Sequence, residues 1–456
     1  MKKKVLSVLL AAAMMSTMLA GCGDNGSSAS NSGSSAPESS AAASNDGSSA
    51  ASSGGSSSAE PVTLKWAIWD ESTTQYWGDL KKAYEASHEG VTIEMVDLGS
   101  TDYMTVLATE LSGSGSDFDV VTIKDVPGYA TLVQKNAIMA LDDYIAADGI
   151  DLKQYAGATD QVVVDGKLYE LPFRNDFWVV FYNKDLFDAK SIPYPTNDMT
   201  FEEYDDLARQ VTDTTFGSQV YGTHYHTWRS DVQLFGVLDG QHTILDGKYE
   251  NFKPYYEMVL NQEKDGVCRK YTDLKAEGLH YSAAFSGGDV AMMNMGSWYI
   301  ATLITNLQSG EYDSSLCGNW GIVKYPHAEG VAAGSTLGTI TGISVTTATD
   351  TPDEAWEFVK WVSGPEGAAV VASSGNFPAI MTNEVKDMIA GLEGFPTDAE
   401  SKEALTVSNL YLEVPYGDKV SEINSILDTY HGSIMEGTMS IDEGIAAMEK
   451  EVQNLK

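Results

Sequence analysis

Apolar positions along this chain change their spacing in a way that separates strands from helices. Residues 62–69 alternate apolar and polar side chains and predict a first strand. Residues 76–87 follow with Trp77, Leu80 and Tyr84 at helical spacing. Residues 91–96 and 118–123 predict a second and a third strand. Residues 177–182 form an unbroken run of aromatic and β-branched side chains, which fits a strand covered on both faces. Just upstream, Asp165-Gly166 suits the positive φ angles of a two-residue hairpin turn between 162–164 and 168–170. Thr351-Pro352-Asp353-Glu354 predicts a helix start, with Thr as N-cap, Pro in the first turn and Glu as capping-box partner. Ala355, Phe358, Val359 and Val362 supply its apolar stripe. Ser440-Ile441-Asp442-Glu443 repeats the capping pattern ahead of a last helix lined by Ile441, Ile445, Met448, Val452 and Leu455. Strand and helix signals therefore alternate as in α/β proteins, with no internal repeat.

One stretch breaks the apolar pattern. The pentad Phe173-Arg174-Asn175-Asp176-Phe177 stands between segments that both read as buried. Arg, Asn and Asp there must satisfy one another or face a polar cleft, because unpaired polar groups are costly in apolar surroundings. A binding groove is the expectation.

The N-terminus fixes the compartment. Lys2 to Lys4 precede an apolar stretch, residues 5–19, that is short for a membrane span. Leu19-Ala20-Gly21-Cys22 then resembles a bacterial lipobox, which implies removal of residues 1–21 and lipid attachment on Cys22. An ordinary secretory signal with an incidental cysteine is the plainer alternative. Residues 23–60 are Ser, Ala, Gly and Asn with almost no large apolar side chains, so they cannot offset their ordering entropy and are expected to be disordered. As a coil this tether spans about 30–37 Å. It suits a body held clear of a Gram-positive surface.

The remaining body, 61–456, exceeds one ordinary core, and two domains are expected. A formal net charge of −37 argues against nucleic acid, anionic lipid surfaces and phosphorylated ligands, and permits neutral or cationic solutes. Simple solubility of an exported protein explains the acidity equally well. Cys268 and Cys317 leave one disulfide open but no framework and no zinc spacing. His224 and His226 would share a strand face without an evident third ligand, so no metal and no cofactor are expected. Gly113-Ser114-Gly115 lacks the lysine of a phosphate loop and reads as a turn. No G-x-S-x-G and no H-E-x-x-H motif supports hydrolase chemistry.

Four blocks, in order, resemble the family 1 extracellular solute-binding proteins of ABC importers, the group that includes maltose-binding proteins. They are Phe118-Asp119-Val120-Val121 with Asn136 to Tyr144, Gly166-Lys167-Leu168-Tyr169 through Tyr182-Asn183-Lys184-Asp185-Leu186-Phe187, Phe285 to Met293 with Gly296-Ser297-Trp298, and Ala355 to Trp361. Asn136 stands where the family usually has Gly, and Asn tolerates the left-handed conformation next best. The resemblance implies an α/β, two-lobed periplasmic-binding-protein-like (type II) fold whose lobes are joined by hinge crossings. One lobe would comprise 61–174 and about 336–374, the other 175–335 and about 375–456. Crossings are expected at the pentad, near Gly334 to Gly338, and near Gly375 to Pro378. Ligand would favour a closed form that the permease recognises. The partners implied are a small-molecule carbohydrate and the transmembrane permease subunits, with the chain itself a monomer.

Sugar sites pair aromatic faces with planar polar side chains. Trp298 resembles the family's stacking Trp, and Asp176 matches an acidic sugar-binding position; a core Trp and an ion pair with Arg174 are the bland alternatives. Trp69, Asp70 and Glu71 end the first strand and Asp125 the third, where open α/β sheets bind ligands, or where helix caps sit. Trp228 and Arg229 could form a second platform or a hydrophobic cluster, and Phe377 lies near the third crossing. A polyamine in the same fold, a glycoside hydrolase pairing Asp176 with Asp70 or Asp125, and a structural surface lectin are the rival functions.

Overall fold

The computed structural model describes residues 61–455 apart from 100–101, 114–115, 156, 216 and 218. The leader, Cys22, the tether, and Ser114 and Gly115 of the glycine-rich turn lie outside the described residues. Among those described, no helix is long and apolar enough to cross a membrane.

Strand β1 (Val62–Ile68) leads through the helix Gln75–Ser87 to β2 (Val91–Asp97), and β3 (Val120–Ile123) follows. Both β2 and β3 pair with β1 in parallel. The helix buries Tyr76, Trp77, Leu80 and Tyr84, the face its spacing predicts. Then come β4 (Leu171–Asn183), β5 (Met292–Gly296), β6 (Trp320–Lys324), β7 (Ser335–Val345) and β8 (Asn409–Leu412). The sheet order is β2-β1-β3-β7-β4-β5, with β6 added on β4 and β8 on β7.

Two long strands tie the sheet together. Leu171 to Phe177 of β4 pair with β7, which in turn pairs with β3. Residues 178–183 of the same strand pair with β5 and β6 instead. The polar pentad is thus not a break between elements, as the sequence suggested, but part of one continuous buried strand. A register shift between Pro172 and Arg174 marks the place where proline has no N–H to give the ladder. A third segment joins here: Asn175 N donates to Phe377 O at 3.1 Å and Ala379 N to Phe173 O at 2.9 Å.

The apolar core follows this division. One cluster gathers Leu64 to Phe173 with Ile340, Ile343, the helix Pro352–Ser363 and neighbours; two others gather the residues around β5, β6 and the C-terminal helices. Asn136 does adopt positive φ, at 52°, and Asp165-Gly166 turn with φ of 50° and 76°. That turn closes a single Val164–Lys167 bridge rather than a longer hairpin. Ser440 and Glu443 form the expected capping box. Thr351 does not: its side chain caps nothing, and its backbone N–H is held by Thr349 Oγ1 at 3.1 Å. Cys268 and Cys317 are both buried and unbonded, which settles the open disulfide.

Candidate functional site

Because side chains alternate along a strand, the pentad sends Arg174 and Asp176 to one face of β4 and Asn175 and Phe177 to the other. Arg174 and Asp176 form the floor of a cleft of about 1110 Å³. Arg174 Nη2 lies 2.5 Å from Asp176 Oδ2, and Nη1 donates to Tyr76 Oη at 2.8 Å. Ser297 Oγ donates to Asp176 Oδ1 at 2.9 Å. Burial alone would lower the guanidinium pKa, yet the Asp176 carboxylate and the Tyr76 hydroxyl raise it above its ordinary value, so the charge is kept. The floor is therefore a chain of hydrogen bonds from Tyr76 to Ser297, anchored on the continuous strand.

One wall is aromatic and partly open. Trp228 and Trp298 lie 6.3 Å apart between ring centroids, and Tyr281 lies 5.7 Å from Trp228. Trp178 sits edge-on beneath both, at 6.4 Å and 5.7 Å. Trp298 is the first residue of the helix Trp298–Ser309, and its ring folds back over Gly296. A Cβ at Gly296 would lie 1.9 Å from that ring, so the position of Trp298 requires glycine there.

The opposite wall is locked. Trp69 follows β1 and is clamped between Trp77 and Tyr103, at centroid distances of 5.3 Å and 4.9 Å. Lys124 Nζ stands 5.4 Å above its ring. Asp70 takes a left-handed φ of 50°, held by its N–H to Asp97 Oδ1 at 3.0 Å. Asp70 also lines the cleft, together with Thr305, Asn306 and Asn376, whose polar side chains complete its rim.

Of the residues singled out in the sequence, Trp69, Asp70, Arg174, Asp176, Trp228 and Trp298 come together in this cleft. Four others lie elsewhere. Glu71 is exposed and is not part of the lining. Asp125 is the N-cap of the helix Val126–Gln134, accepting from Gly128 N at 2.7 Å, and burial raises its pKa. Arg229 is buried against Asn424, whose Oδ1 accepts from Nε at 2.9 Å, and burial lowers its pKa. Phe377 is fully buried, edge-on to Phe177 at 5.0 Å. Tyr76, Tyr281, His280 and Lys124 line the cleft without having been singled out. Tyr76 had the right place, on the first helix beyond β1, but its spacing reads as core. A second cleft of about 750 Å³, around residues 417–423, has no aromatic lining.

Comparison with known proteins places this geometry. Residues 70–369 match the family model described as bacterial extracellular solute-binding protein. A sugar transporter from Rhizobium etli, solved in an open conformation, is 46% identical, with a TM-score of 0.82 over 87% of this chain and 100% of that one. An ABC substrate-binding protein from Listeria monocytogenes in complex with cycloalternan is 20% identical, with a TM-score of 0.70 over 86% of this chain and 98% of its own. The sugar-binding protein MalE from Xanthomonas citri is 17% identical, with a TM-score of 0.70 over 86% and 97%. The last two likenesses concern the fold, which is the two-lobed, periplasmic-binding-protein-like α/β architecture.

Proposed function

The chain belongs to the bacterial extracellular solute-binding protein family, and from that premise we propose that it captures a carbohydrate, a mono- or oligosaccharide, between two closing lobes for delivery to an ABC transporter permease. The observation that carries this reading is the cleft itself: Trp228, Trp298 and Tyr281 face it from one wall and Trp69 from the other, above a hydrogen-bonded polar floor. Aromatic faces cover the apolar side of a sugar ring while planar polar groups bond its hydroxyls. The 46% identity to the Rhizobium etli sugar transporter supports the same ligand class.

Charge disfavours a polyamine. Although the chain carries −37 overall, the acidic lining residues Asp70 and Asp176 are matched by Lys124 and Arg174. A cleft without excess negative charge suits a neutral solute. A glycosidase would need two carboxylates free to act on the bond, and Asp176 is already committed to Arg174 and Ser297. In this proposal the lobes divide at 174/175, 335/336 and 374/375. Cys22 carries the lipid that holds the monomer on the extracellular face of a Gram-positive cytoplasmic membrane, with 23–60 as tether.

A thermal-shift screen tests the ligand class, because a solute that binds only the folded state adds about 2.7 kcal/mol at a hundredfold excess over Kd. A mono- or oligosaccharide should raise Tm by several degrees, release no new reducing ends, and shrink the radius of gyration in solution scattering. If spermidine raises Tm and no carbohydrate does, the carbohydrate reading is wrong.

A further inference from the structure

The other face of the pentad opens on a second cavity. Asn175 and Phe177 alternate with Arg174 and Asp176, so they point away from the front cleft. They line a cavity of about 450 Å³ on the far side of the crossings, within the size range of small-molecule sites. Gln154 and Gln161 bound it on one side, and residues 405–411 with the helix Asn383–Ala390 bound it on the other.

Three features of this cavity point to a ligand. Asn175 is only 8% exposed, and its Oδ1 has no hydrogen-bond partner among the described residues. A buried amide oxygen without a donor is rare and marks a place where a partner is missing. Lys386 is the only charged residue of the lining, and no ion pair or hydrogen bond of its side chain occurs among the described residues. In a chain of net charge −37, a cation without an ion pair in the lining of a half-open cavity is an isolated positive spot. Between the two, Phe177, Met381, Leu405 and Leu410 provide an apolar body.

We propose that this rear cavity is a second small-molecule site, for a compact amphipathic carboxylate that also carries a hydroxyl. The carboxylate faces Lys386 Nζ, the apolar body packs on Phe177 and Leu410, and the hydroxyl meets the side-chain amide of Asn175, which turns its Oδ1 toward the incoming donor. This ligand class is the reverse of the front cleft's: one negative charge and one donor rather than many hydroxyls. The site stands whether or not the front cleft takes a sugar.

The probe is 4-hydroxyphenylacetate, titrated by calorimetry into the protein, with tyramine as the cationic counterpart of similar shape. Saturable one-to-one binding of the acid and none of the amine is expected. Lys386→Met should weaken it at least tenfold, and Asn175→Ala should weaken it severalfold. Trp298→Ala, in the front cleft, should leave it unchanged. Lys386 is half-buried at the helix surface, so its replacement keeps the fold, which the thermal midpoint verifies. No saturable binding, binding indifferent to Lys386→Met, tighter binding of tyramine, or loss of binding in Trp298→Ala would each overturn the proposal.

Discussion

The two walls of the front cleft use tryptophan in opposite ways. Trp69 is 9% exposed and held by Trp77 and Tyr103, so nearly all of its surface is already spent on its own wall. Trp228 is 38% exposed, and its neighbours Trp178, Trp298 and Tyr281 meet it at steep angles, leaving a face open. An exposed large aromatic beside others is uncommon on a protein with no partner for it. The contrast teaches that one wall spends its tryptophan on packing and the other keeps an aromatic face free: Trp69 shapes the cleft by what it packs against, and Trp228 by what it leaves uncovered.

The largest effect expected from that contrast is on stability. Trp69→Ala should cost about 3–5 kcal/mol, because it empties space between Trp77 and Tyr103, and chemical denaturation measures it directly. Next comes affinity. Trp228→Ala should leave the unfolding free energy within about 1 kcal/mol of the parent while weakening carbohydrate binding roughly 30-fold, about 2 kcal/mol. Equal destabilisation by the two substitutions would erase the distinction between the walls.

The smallest effect concerns pH on the open wall. His226 lies edge-on to Trp228 at 4.5 Å, and burial, aided by the His280 and Lys275 charges, lowers its pKa from 6.5 to about 4. The folded state thus keeps this ring neutral where the unfolded chain already binds a proton. Stability from this group is full above about pH 6.5 and is lost as pH falls toward 4. With solvent screening at this partly exposed site, the loss by pH 5 is about 1 kcal/mol. His226→Gln should therefore gain about that much relative to the parent between pH 7 and pH 5. A difference independent of pH would remove His226 from the acid response of this wall.

Much of the fold was legible because its signals are local. The alternation of residues 62–69, the helical face of Trp77, Leu80 and Tyr84, and the left-handed Asn136 all depend on near neighbours. Thr351 shows the limit. It has the right residue type for an N-cap, but Thr349 Oγ1 engages both its backbone N–H, at 3.1 Å, and its side-chain hydroxyl, at 3.4 Å, and that hydroxyl caps nothing. In the site, residues predicted as adjacent pairs separated once their directions were fixed. Trp228 reaches the cleft while Arg229, next to it, turns inward to Asn424. Asp70 lines the cleft and Glu71 does not. Tyr76 was hidden for another reason. It is 2% exposed and a true core residue, yet its hydroxyl bonds Arg174 and its ring lies 5.2 Å from that guanidinium, and sequence spacing shows only the side of the helix on which a tyrosine sits.

The two unbonded cysteines have a practical consequence. Cys268 and Cys317 are 3% and 0% exposed, and burial raises both thiol pKa values, that of Cys317 to about 11. At neutral pH neither presents a thiolate to a maleimide dye. A fluorophore attached to a cysteine introduced at the cleft rim, at Thr305 for example, would mark that position alone in residues 61–456. Under the proposed closure, the acidic body could then serve as a reagentless optical sensor, reporting its solute through the motion of its own lobes.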